Sequence, residues 1–147
     1  MDKVITIDGK TVTLRSSALI PRLYRHHIGR DMVADMAHLR KAYNATLAAK
    51  KAGATEEEQQ EASLPLMDLE IFENVAWIML KHAAEFRDIE AGGETVRVLM
   101  NGDMVVGHNP NEWLDMLDGM FSVYDVLPKI LDLWEAGQKT TSNPAKK

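Results

Sequence analysis

Few residues in this 147-residue chain have types and spacings that could do chemistry. His26 and His27 are adjacent, so on a helix their side chains diverge by about 100° and do not chelate one ion. A zincin-type site instead needs histidines at i and i+4 with a glutamate between them. Glu70 with Glu73, and Asp115 with Asp118, could form carboxylate pairs for general acid–base work, but acids at i,i+3 are also what an ordinary solvated helix face presents. The stretches "EAGGE" and "GHNPNE" contain neither a phosphate-binding lysine pattern nor the spaced glycines of a dinucleotide turn. No Gly-x-Ser-x-Gly elbow is present, and zero cysteines exclude disulfides, thiolate nucleophiles and cysteine-ligated metals. The residues therefore point to a non-enzymatic protein without metal or cofactor.

Composition sets the frame for that reading. At 46% hydrophobic and 27% charged residues the chain has the balance of a soluble domain. No run approaches the roughly 20 apolar residues of a membrane span, and "MDKVITIDGK" lacks the apolar centre of a signal peptide, so a cytoplasmic protein without a membrane partner is expected. The net charge of −5 is unevenly distributed. Residues 1–53 hold ten Lys/Arg against four Asp/Glu, and the remainder hold seven against eighteen. Such a dipole can pair one subunit with another, which predicts a homo-oligomer in which basic and acidic surfaces meet. The basic part lacks the motifs that accompany nucleic-acid binding; a small regulator using Arg22, Arg25, Arg30, Arg40 and Lys41 is the rival reading.

The elements that must position these residues follow from periodicity. "VITIDGKTVTL" (residues 4–14) alternates on both sides of Asp8-Gly9, which predicts a β-hairpin burying Ile5, Ile7, Val12 and Leu14. Ser16 and Ser17 can cap a helix that tolerates Pro21 in its first turn and ends at Gly29, with Leu23, Tyr24 and Ile28 inward and Arg22, Arg25 and His26 outward. A second helix from about Asp31 carries the stripe Met32, Met36, Leu39, Tyr43, Leu47 and runs into an exposed, mobile segment at 49–63. A third, about 67–87, is the most apolar and should be central; Phe86 belongs to its apolar surface. A narrow polar stripe on it contains Glu70, Glu73, Asn74 and Lys81, with Trp77 among them.

"TVRVLMNGDMVV" (95–106) predicts a second hairpin turning at Asn101-Gly102. Asn109 and Pro110 read as cap and first position of a short helix, and a last helix spans Ser122 to Ala136, ended by Gly137. Within it Pro128 denies the Tyr124 carbonyl its helical donor; the resulting bend either wraps the domain's own core or turns apolar residues toward a neighbour. The fold class expected is α+β: a mainly helical single domain over 1–137, with a polar tail at 138–147.

What remains is adhesive. Nine methionines supply pliable apolar surface, the kind that either fills a core or accommodates varied partners. Trp77, Trp113, Met116, Met120, Tyr124, Ile130 and Trp134 are the candidate partner-contacting residues, with the same two readings open for each.

Three blocks resemble the tail assembly chaperones of long-tailed bacteriophages. "ITIDGKTVTLR" with "PRLYRHHIGRDMVADM" is similar to that family's hairpin, proline-started helix and Gly-Arg-Asp junction. "IFENVAWIMLKHA" is similar to its apolar central helix, and "NEWLDMLDGMFSVYDVLPKILDLW" resembles its C-terminal signature. The blocks cover about 65 residues in the family's order; the 49–63 segment and the 95–106 hairpin depart from its pattern. The resemblance implies a non-enzymatic chaperone of the host cytoplasm, absent from the finished virion. It implies binding to the tape measure protein while tail tube protein polymerises around it, the tube protein being contacted through a longer, frameshifted form. Another tail morphogenesis or completion protein is the nearest alternative.

Overall fold

The computed structural model describes residues 1–51, 66–119 and 123–138. The sequence expectations for 52–65 and for the tail beyond 138 lie outside these residues.

Strands β1 (Asp2–Ile7) and β2 (Lys10–Arg15) pair antiparallel with Ile7 opposite Lys10, so the turn is the two-residue Asp8-Gly9. Both turn residues have positive φ, 54° and 74°, the backbone a tight hairpin of this twist requires. Ile5, Ile7, Val12 and Leu14 are buried, as expected. Helix α1 (Ile20–Ile28) stops at Gly29, whose left-handed φ of 80° lets its N–H reach the Arg25 carbonyl at 2.9 Å. Its N-cap is Leu19, not a serine; Ser17 instead accepts the Leu19 N–H through Oγ at 3.2 Å. Helix α2 (Met32–Lys51) buries Met32, Met36 and Leu39 and leaves Tyr43 and Leu47 half-buried.

Helix α3 (Leu66–Ala83) is the centre of the domain. Val75 through Leu80 are buried without interruption, which a helix permits only when neighbours surround it. Those neighbours are β2, α1, α2, the strand Glu94–Asn101 and the helices Pro110–Asp115 and Val123–Gln138. α3 ends four residues earlier than its periodicity predicts. Residues Glu85–Ala91 form strand β3, which pairs with β4 (Glu94–Asn101) across a Gly92-Gly93 turn. Phe86 accordingly lies on the hairpin, 63% exposed, rather than on an apolar helix face. β4 continues into β5 (Met104–Val105), giving the hairpin expected over 95–106 as the smaller half of a three-stranded meander. Its turn is Gly102-Asp103, one residue later than expected, because Asn101 remains paired with Met104.

Helix α4 (Pro110–Asp115) is capped as predicted, Asn109 accepting the Glu112 N–H through its side chain at 2.9 Å. Helix α5 (Val123–Gln138) runs through Pro128 and past Gly137, one residue beyond the expected stop. Only one turn precedes Pro128, so the missing hydrogen bond interrupts little helix. Val126, Leu127, Ile130, Leu131, Leu133 and Trp134 are all buried, and α5 packs on β1, α2 and α3. The helix lays its apolar side on the domain's own core. The architecture is therefore α+β: helices around central α3, an N-terminal hairpin against them, and a second small sheet at the C-terminal end of α3.

Candidate interaction surfaces

Most of the residues expected to contact a partner are interior. Trp77 is 1% exposed and Trp113 is fully buried. The Trp77 indole N–H donates to the Val106 carbonyl at 3.1 Å, and that of Trp113 points to the Met104 sulfur at 3.2 Å. The polar stripe that flanks Trp77 in sequence is covered there by α1: His27 meets the indole edge-on at 5.8 Å between ring centroids, and the Lys81 ammonium lies 5.9 Å from it. Ile130 and Trp134 belong to the core beneath α5. Of the two readings open for these four, the structure of the single copy gives the packing one. Met116, 44% exposed after α4, retains an accessible side chain. Met120 and the Tyr124 side chain lie outside the described residues.

Sequence reasoning missed two features. The first is a polar network at the α1–α2 corner. Asp35 is buried, accepting the Tyr24 hydroxyl at 2.7 Å on Oδ2 and a two-point contact from Arg30, whose Nε and Nη2 each approach a carboxylate oxygen at 2.8 Å. Burial raises the Asp35 carboxyl, but hydrogen bonds from Arg30 and Tyr24 and the charge of Arg30 outweigh it, so the group stays below the usual carboxylate range. Burial, then the hydrogen bond to Asp35, pushes the Tyr24 phenol far up, and the same carboxylate raises the Arg30 guanidinium. The signal was legible: Asp35 falls on the Met32–Met36–Leu39 stripe, and an acid on an apolar face must find a donor.

Outside this network, a concavity opens between α1 and the corner, lined by Ala18, Pro21, Arg22, Arg25 and Gly29 to Met32. Asp35 spends two of the guanidinium donors of Arg30 and holds it in place. Arg22 and Arg25 are exposed and have no carboxylate within 4.0 Å among the described residues. Asp31 is the one acid in the lining, and its side chain accepts the Val33 N–H at the start of α2. The arrangement can receive an anionic group.

The second missed feature is the β3–β4 hairpin itself. Not one residue of β3 is buried, and only Asn101, at the base of β4, is. Phe86 and Val96 are exposed, with Ile89 and Val98 half-covered. In the register, Ile89 faces Val96 on one side of the ribbon; Phe86 lies on the other beneath Arg97, whose guanidinium carbon is 5.1 Å from the ring centroid. The Gly-Gly dipeptide was the sequence signal for this turn.

Among the described residues no group of three or more His, Asp or Glu is placed to hold a metal ion, and no helix is long and apolar enough to cross a membrane. Comparison of the chain with protein-family models, with curated proteins and with solved structures finds no match.

Proposed function

We propose that this protein is a bacteriophage tail assembly chaperone, a non-enzymatic factor that holds the tape measure protein soluble while the tail tube polymerises around it. The observation carrying this reading is a coincidence between sequence and packing. The blocks that resemble the family fall on β1, β2, α1, the start of α2, α3, α4 and α5, and these elements bury their side chains in one core cluster. The 95–106 segment, which departs from the family pattern, adds only Met104 and Val106 to the buried members of that cluster. A resemblance scattered over 130 residues of sequence thus maps onto one packed unit.

The protein acts in the host cytoplasm and is left out of the virion on this reading. Its apolar client surface includes the hairpin residue Phe86 together with Met116. Co-expression with the cognate tape measure protein tests the proposal. The client should move from the insoluble to the soluble fraction and co-purify with the chain. Equal insolubility with and without the chain, or recovery of the chain as a stoichiometric component of purified virions, would overturn it.

A further inference from the structure

We infer that the tip of the β3–β4 hairpin of one copy docks into the arginine-lined concavity of a second copy, joining protomers head to tail. The hairpin tip has the composition of an insert. Between Asp88 and Thr95 it carries three acids and no base, and its turn is Gly92-Gly93, so no side chain widens its end. Glu90 lies opposite Thr95 and Glu94 opposite Ala91, which puts one carboxylate on each face of the ribbon. Both glutamates are exposed; Glu90 accepts the Thr95 hydroxyl at 2.7 Å.

The concavity has the complementary composition. Arg22 and Arg25 stand three residues apart on one side of α1, a spacing that places their guanidinium groups next to each other. Each can form a two-point contact with a carboxylate. Arg30, fixed by Asp35 beneath it, supplies a further guanidinium edge that needs no ordering on contact.

The occupant is a second copy because the chain holds both halves of the match. Its basic surface is on the first helix and its acidic insert on the second sheet, and no hydrogen bond or ion pair among the described residues joins the two. A single head-to-tail contact leaves one tip and one concavity unfilled on every joined pair, so further copies add until a ring closes or a filament forms. The Ile89–Val96 pair, half-covered at Ile89 and exposed at Val96 in the single copy, flanks the tip and is covered as the hairpin seats.

Charge reversal with complementation tests the inference on the purified chain alone, so its outcome and that of the chaperone reading are separate. Sedimentation at low ionic strength should show concentration-dependent assembly of the wild type that weakens when salt shortens electrostatic reach to about 3 Å at 1 M. E90K/E94K and R22E/R25E should each assemble at least about tenfold more weakly, since attraction between exposed pairs is replaced by repulsion. An equimolar mixture of the two variants should assemble again, because every unlike contact then joins opposite charges. Restored assembly also shows that both variants are folded. A wild type that stays monomeric, variants that assemble like the wild type, or a mixture that stays dissociated would each overturn the inference.

Discussion

The side chain of Asn101 pairs with both main-chain groups of Thr13, accepting its N–H at 2.8 Å and donating to its carbonyl at 2.7 Å. The same amide donates to the Leu80 carbonyl at 2.9 Å, so one buried residue ties the second sheet to the first and both to α3. Beside it, Gly102 comes so close to β2 that a Cβ there would lie 2.3 Å from the Thr11 carbonyl oxygen. Asn101→Leu keeps the branching and number of side-chain heavy atoms and leaves three main-chain groups without their partner. We expect a loss of about 2–4 kcal/mol, read from the urea midpoint at unchanged m-value. Gly102→Ala should destabilise by a comparable route, since it meets main chain and also sits at φ 58°.

Asp35→Asn should destabilise by about 2–3 kcal/mol. The value is below that for a fully buried pair because Arg30 is half exposed and reaches water once released. Since the folded Asp35 carboxyl lies below its ordinary 3.8, its contribution is present above that pH and disappears as pH falls through the folded value. Acid titration of stability should therefore drop less steeply in the variant than in the wild type below pH 4. An equal slope in both would show that Asp35 is not the titrating group.

Trp77→Ala should lower stability by about 3–5 kcal/mol, the penalty of a large cavity next to Val106. Trp77→Phe should be milder, leaving chiefly the Val106 carbonyl unpaired, about 1–3 kcal/mol. Calorimetric or chemical unfolding measures both. A shift in the unfolding midpoint too small to resolve would return Trp77 to the surface.

Stability should depend on pH near neutrality through two histidines. Burial, then Lys81 and His26, lower the His27 imidazole below 6.5, and burial, then Arg15 and the terminal ammonium, lower His82. The folded state therefore binds protons less readily than the unfolded chain. Stability from these groups is complete above the unfolded value and declines as pH falls below about 6.5. His27→Gln with His82→Gln should flatten the stability profile between pH 7 and 6; a wild-type profile already flat there would contradict it.

How much of this was legible in the sequence depended on whether a local period agreed with its surroundings. Ile5, Ile7, Val12 and Leu14 alternate around a turn dipeptide, and local and tertiary demands coincide, so the buried face of the first hairpin was legible, while a two-residue and a four-residue loop fitted the pattern equally. Phe86 failed for the opposite reason: it stands three residues beyond Ala83 and extends the helical period of α3, while the Gly-Gly turn after it requires strands. Asn101 was read as a turn residue from its neighbour Gly102, and no local pattern records that its amide is needed 88 residues away at Thr13. The tryptophans were ambiguous because burial depends on what α1 and β5 place over them. The arginines of α1 were correctly set on its outer side, but the concavity they line is made by the chain turning at Gly29.

The packing of α5 on β1 has a consequence for synthesis. The N-terminal hairpin leaves the ribosome long before α5, and at typical translation rates the gap is roughly ten seconds. Throughout that interval Ile5 and Ile7 have no cover from α5, and two short strands alone are too weak to persist in water. Closure of the domain thus awaits its last helix, and any delay in translation before Val123 lengthens the time during which a nascent β-edge is open to mispairing.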